Sequence, residues 1–231
     1  ILMKILIPPS EGKSKENTQS LLFGESEPEY SNEIKEILHV LSTSKNEDLI
    51  KIYGTSIEKS EILHKENLEL FNRKCSFAYE RYTGVVYNNF NFKSLDEESK
   101  KFAIKNILVT SGFLGLVKLN DLIPNYKLKM NVLRLTNFWK PIFTKKLENE
   151  NLLIDLLPEI HSKSYESSNT VKIDFKFFRN NKFISAGHNG KAIKGKFIRY
   201  IVKNKFENLE NILEFNEDGF KWNGKFFLKE I

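Results

Sequence analysis

The chain has 231 residues, 40% hydrophobic and 13% aromatic, enough apolar surface to bury a sizeable core and to exclude disorder as the main state. No apolar run approaches the ~20 residues of a membrane span, and the single cysteine, Cys75, leaves no partner for an internal disulfide or a cysteine-based zinc cluster, so a soluble cytoplasmic protein is expected. The formal net charge is +6, yet between Lys172 and Lys205 there are ten cations against one acid, so the excess is local and the rest of the chain is net negative.

MKILIPP, Met3 to Pro9, reads as a buried strand ended by proline. A polar loop follows from Ser14 to Tyr30. SNEIKEILHVL predicts a helix with Ser31 as N-cap and with Ile34, Ile37, Leu38 and Leu41 on one face. NEDLIKIYG and SIEKSEILHKENLELF predict two more helices, the first closed by Gly54. The β-branched and aromatic residues of CSFAYERYTGVVYNNF suggest a strand with a backbone irregularity at Gly84. Asp96 to Asn106 should be helical, and ILVTSGFLG should run from strand through a tight turn into a helix. A helix is expected near Asn137, a second buried strand in LLIDLLP, and a hairpin about Arg179 to Asn181. A basic helix starting near Lys194 comes next, then a closing hairpin with Asn223 and Gly224 at its tip. The mixture lacks regular βαβ spacing. It points to a mixed α/β or α+β fold: one compact domain over residues 1–231, with a central mixed sheet flanked by helices.

On the basic helix, Lys196, Arg199 and Lys203 share one face, while Phe197, Ile198, Ile201 and Val202 form the opposite, buried stripe. Helical spacing therefore offers three cations outward to a polyanion, or to water alone. PPSEGKS ends like a phosphate-cradling loop, but Ile7 stands where that motif needs its first glycine. What survives is Glu11 and Lys13 just past a strand's carboxyl end, where open sheets build sites. Ser111 and Gly112 suggest a turn whose backbone N–H groups meet a phosphate. No histidine pair has metal spacing, and neither metal nor cofactor is expected; His161 and His188 lie near strand ends and could titrate near neutrality.

Taken together, PPSEGKS, YTGVVY, SGFLGLVKLNDLIPNYKLKM, NFWKP and HNGKAIKGKFIR resemble, in order and spacing, the YaaA family of bacterial peroxide-stress proteins. The resemblance runs from Ile5 to about Gly219, with Lys118 and Leu119 standing where the family often has Arg-Pro. It implies a YaaA-type α/β fold with a positively charged cleft, DNA binding without strong sequence preference, and a part in limiting iron-driven DNA damage under peroxide. It also implies a helix-hairpin-helix element, expected here around Ser111 to Leu116. Motif by motif, its cleft residues are Glu11, Lys13, Tyr82, Thr83, Gly84, Ser111, Gly112, Tyr126, Lys127, Lys191, Lys194 and Arg199.

Two functions follow as expectations. One is a DNA-binding protein of the peroxide response, contacting phosphates through Lys13, Tyr82, Thr83, Ser111, Gly112, Lys127, Lys191, Lys194, Lys196, Arg199 and Lys203. The other is an enzyme acting on an anionic or nucleotide-like small molecule, with Glu11, Lys13 and His188 as catalytic candidates. DNA or a small anion is the expected partner, and no membrane.

Overall fold

The computed structural model describes residues 2–231. Strand β1 (Met3–Ile7) is buried along nearly its whole length, as an apolar run covered on both faces must be. Three helices follow, α1 (Ser31–Ser42), α2 (Asn46–Tyr53) and α3 (Ile57–Leu68), and α2 does close at Gly54 in the left-handed region. Ser31 is the first residue of α1 rather than its cap; Tyr30 holds the cap position and makes no side-chain capping bond.

The segment expected as one irregular strand is mostly helical. β2 (Ser76–Phe77) gives way to α4 (Ala78–Arg81), and α5 (Val85–Phe90) starts after Gly84, whose φ of 108° only glycine adopts freely. Burial of Val86, Tyr87 and Phe90 follows helical spacing, which overrides the strand preference of those residue types. After α6 (Glu97–Asn106) and β3 (Ile107–Ser111), the chain turns at once into β4 (Gly115–Val117), antiparallel to β3. No helix follows Ser111, so Ser111 to Leu116 cannot supply the helix-hairpin-helix expected there. Short β5 (Leu122–Ile123) precedes α7 (Leu135–Leu147), β6 (Leu152–Asp155), the single turn α8 (Glu159–Ser162) and β7 (Thr170–Lys172).

These strands form a sheet in the order β4-β3-β1-β6-β7, in which β3, β1, β6 and β7 are mutually parallel. The chain leaves β1 toward β3 and later returns on the other side as β6, which makes the β1/β6 boundary a topological switch point. A second sheet holds the expected hairpin, β8 (Phe175–Arg179) and β9 (Lys182–Ser185). It is built in the order β10-β11-β8-β9, with β10 (Lys221–Trp222) and β11 (Phe227–Glu230) as the closing hairpin.

Between the sheets runs α9 (Gly187–Asn204), which starts two turns earlier than Lys194, followed by α10 (Leu209–Leu213). Phe197 of α9 packs against Phe175, Phe215 and Phe227, with ring centroids 5.2–5.7 Å apart. On its other side α9 crosses α5 so closely that a Cβ on Gly195 would lie 2.3 Å from the Val86 carbonyl oxygen. One hydrophobic cluster extends from β1 through α5 and α9 to β11. Among the described residues, no helix is long and apolar enough to cross a membrane.

A candidate anion site at the carboxyl edge of the parallel sheet

The carboxyl ends of β1 and β6 open into two basins that meet at Pro158. The first has a volume of about 250 Å³ and is lined by Glu11, Lys13, Lys127 and Lys129, with His161 at its wall. The second, of about 520 Å³, is lined by Lys172, Lys191 and Lys194 together with Glu159 and Asp174. The second is within the size range of a small-ligand pocket, and the first falls just below it. Glu11 and Lys13 thus adjoin Lys191 and Lys194 without sharing one chamber with them.

Lys13 is held from three sides. Its Nζ donates to the Ser10 carbonyl at 2.7 Å and lies 4.4 Å from the Tyr126 ring centroid, a cation–π contact. Its backbone bridges Tyr82. Burial pushes the amine down to about 8; Lys127 adds repulsion, Glu11 opposes it, and Arg81 contributes a smaller repulsion. The Glu11 carboxylate pairs with Lys129 at 2.6 Å, and that hydrogen bond lowers its pKa. Glu11 therefore sits in the basin as a partner of lysine.

Behind Lys13 lies a hydrogen-bonded chain: Tyr126 Oη is 2.6 Å from Tyr82 Oη and 2.7 Å from Ser111 Oγ. Ser111 Oγ also accepts from the backbone N–H groups of Phe113 and Leu114. Burial holds Tyr82 and Tyr126 in the phenol form, with Tyr126 pushed up to about 12. Ser111 and Gly112 are buried, and so are not exposed anion donors. A Cβ on Gly112 would come within 2.9 Å of the Met130 backbone, so this glycine permits the segment after β5 to pass close by. Thr83 turns away from the first basin; its backbone N–H donates to Ser10 Oγ and to the Gly12 carbonyl, fixing the loop that carries Lys13.

Arg81 escaped sequence reading. It is 0% exposed, and its guanidinium donates to the carbonyls of Ser14, Glu16 and Ile123 and to Asn17 Oδ1, all neutral oxygens. A buried cation without a carboxylate is costly unless every N–H is satisfied, as here. Arg81 pins the loop after Lys13 to β5. Nothing in its sequence context set it apart from a surface arginine.

In the second basin, Lys194 Nζ donates to the Leu156 carbonyl at 2.7 Å, and burial, with Lys172 nearby, pushes it down to about 8. Asp155, 2% exposed, ends β6 and accepts from Lys172 at 3.0 Å, Tyr165 Oη at 2.7 Å, the Leu157 N–H and the Ser162 hydroxyl. This polar knot locks the β6–α8 turn that carries Pro158. Asp155 was also missed, because a lone acid in an apolar run gives no sign of its partners. His161 bonds Thr110 Oγ1 at 2.8 Å, and burial drives its pKa down to about 4, so it is neutral at physiological pH.

The outward face of α9 differs most from expectation. Lys196 is paired with Asp218 at 2.6 Å, and Arg199 donates to the carbonyls of Phe90 and Asn91, each at 3.0 Å. Of the three cations only Lys203 lacks such a partner in the described contacts, so they do not form a continuous free patch. His188 is exposed on the first turn of α9 and lines neither basin, which separates it from Glu11 and Lys13. Among the described residues, no group of three or more His, Cys, Asp or Glu side chains is placed to hold a metal ion.

Against known proteins, the family model described as Peroxide stress protein YaaA matches residues 3–226. An uncharacterized protein of Campylobacter jejuni is 31% identical over 225 residues, covering 91% of this chain and 89% of that protein. A UPF0246 protein of Malacoplasma penetrans is 30% identical over 243 residues, covering 98% and 96%. A UPF0246 protein of Fusobacterium nucleatum is 28% identical over 235 residues. With the model matched over nearly its whole length and two such relatives at this coverage, the chain belongs to the YaaA family of peroxide stress proteins.

Proposed function

We propose that this chain binds DNA along the carboxyl edge of the parallel sheet, through phosphate contacts and without strong sequence preference, as its part in the peroxide response. The observation that carries the reading is the convergence of six lysines from separate segments on the two basins beside Pro158: Lys13, Lys127 and Lys129 in one, Lys172, Lys191 and Lys194 in the other. Lysines supply point charges suited to phosphates and carry no base-reading geometry. Basins of this size admit phosphates and sugars while the bulk of a duplex stays outside. The contact surface is thus the sheet edge, where Lys129 and Lys172 already hold Glu11 and Asp155 while Lys127 and Lys191 have no such partner in the described contacts; on the outer face of α9 only Lys203 is in that position. The helix-hairpin-helix of the family is left without a place at Ser111 to Leu116, and the reading does not use it.

The test is binding of a fluorescent duplex at several salt concentrations. With about four phosphates contacted, the log-log slope should be roughly −3 to −4. The double variant Lys13→Gln, Lys191→Gln should flatten it, whereas Lys196→Gln with Lys203→Gln should leave it nearly unchanged. The opposite pattern would return the contact to α9.

A second reading has its own observation. Two buried amines with pKa values pushed down to about 8, one beside the Glu11–Lys129 pair, suit an enzyme acting on an anionic or nucleotide-like small molecule. Turnover of a nucleotide panel by the wild type, abolished in Glu11→Gln, would establish it; no turnover by either would remove it.

A further inference from the structure

The second sheet has one face turned to the core and one turned to water. Phe175 and Phe227 point inward against Phe197, so in the paired register their neighbours Lys176 and Phe178 lie on the outer face. Phe178 stands opposite Phe183, and Lys176 opposite Ser185, which puts Phe183 on the outer face as well. Phe183 is 58% exposed, and its ring lies 5.2 Å from Phe178 and 5.2 Å from Phe226. Lys176 Nζ lies 4.6 Å from the Phe226 centroid. Arg179 and Lys182 face each other at the hairpin tip. Among the described residues, Glu230 of β11 stands opposite Phe178, and the exposed Asp174, just before Phe175, lies beside Phe226, one residue outside the cationic hairpin.

An exposed aromatic ring on an edge strand, Phe183 on β9, backed by the part-buried Phe178 and the buried Phe226, invites self-association unless charge opposes it. Here the hairpin from Phe175 to Ser185 holds three cations and no acid. That charge disfavours a second copy of the same strand and favours a polyanion that also presents flat apolar rings. The hairpin runs directly into Ser185, Ala186 and Gly187, which line the second basin, so one strand can reach both places.

We propose that this face is a stacking platform for unpaired bases of single-stranded nucleic acid, with Phe183 as its outermost ring and with Lys176, Arg179 and Lys182 meeting the neighbouring phosphates. Stacking needs only the flat face of a base and so tolerates any sequence. The inference rests on the DNA reading above and adds the kind of strand that is held.

The experiment compares full-length wild type, Phe183→Ala, Phe183→Trp, and Ile184→Ala as a control from the opposite face, each titrated with oligothymidylate of about 20 nucleotides and with a blunt duplex of equal length. Phe183→Ala should weaken oligothymidylate binding about tenfold or more, with duplex affinity held within about twofold and the salt slope unchanged. Phe183→Trp should restore the single-strand affinity, and Ile184→Ala should bind as wild type. The platform is overturned if Phe183→Ala binds oligothymidylate like wild type, or loses both substrates equally, while duplex binding by the wild type leaves the sheet-edge reading standing. If the wild type binds neither oligonucleotide at low salt, both readings fall. Should the Lys13→Gln, Lys191→Gln double variant keep both affinities while Phe183→Ala loses the single strand, the sheet edge is excluded and the platform stands.

Discussion

Arg199 of α9 donates to the carbonyl of Phe90, the last residue of α5, at 3.0 Å. A second bond from the same nitrogen reaches the Asn91 carbonyl, so the most prominent cation of the basic helix is a cap for its neighbour. Arg199→Gln should destabilise the fold by about 1–3 kcal/mol. Urea unfolding should show a lower midpoint at constant m value, with duplex-binding slope unaltered. An unmoved midpoint would mean the guanidinium is dispensable to the fold.

Gly195 marks the α5–α9 crossing. An added methyl would meet the Val86 carbonyl oxygen at 2.3 Å and Asn89 Cβ at 2.6 Å, and backbone cannot yield as a flexible side chain does. Gly195→Ala should therefore cost about 3 kcal/mol and lower Tm by roughly 6–12 °C in a chain of this size. Gly54→Ala makes a useful contrast. No atom lies within 4 Å of the added Cβ there, so only the strain of its positive φ should register.

Lys13 and Lys194, each lowered to about 8 chiefly by burial, make anion binding sensitive to mild alkali. Pyrophosphate affinity, followed by calorimetry, should fall as pH rises through about 8, because the ammonium form is the one that attracts the anion. Surface lysines near their ordinary value of 10.5 would hold affinity well beyond that. Stability should move the other way between about 8 and 10.5, where the unfolded chain binds more protons than the folded one. Affinity flat across this window would show that neither amine touches the anion.

His161 should set an acid limb of the stability curve. Its folded pKa of about 4 lies below the ordinary 6.5, so the unfolded chain takes up a proton first on acidification. Its contribution is complete above about 6.5 and is lost as pH falls toward 4. His161→Asn should flatten that limb in urea titrations between these limits. Equal limbs in both proteins would place the acid sensitivity elsewhere.

Much of the fold was legible in the residues. The apolar runs of β1 and β6, the alternation of the two C-terminal hairpins and the amphipathic stripe of α9 all encode burial locally. The stretch from Ser76 to Phe90 misled, because its aromatic and β-branched residues suit a strand while their burial obeys helical spacing. The turn after Ser111 misled as well: a glycine-containing turn serves either a helix or a hairpin, and the partner strand decided. At the site, position past β1 picked out Glu11 and Lys13. Arg81 and Asp155 stayed hidden because what distinguishes them is who their partners are.

By itself, the sequence determined that the chain buries a large core, where its positive charge is concentrated, and which motifs tie it to its family, since each depends on residue type and spacing alone. Only the tertiary structure decided which of those cations face a basin and which are held by a carboxylate or a helix end, Lys172 doing both through Asp155. Coulomb attraction and hydrogen bonding act over a few ångströms in space, and Lys196 with Asp218, or Arg199 with Phe90, are brought that close only by folding.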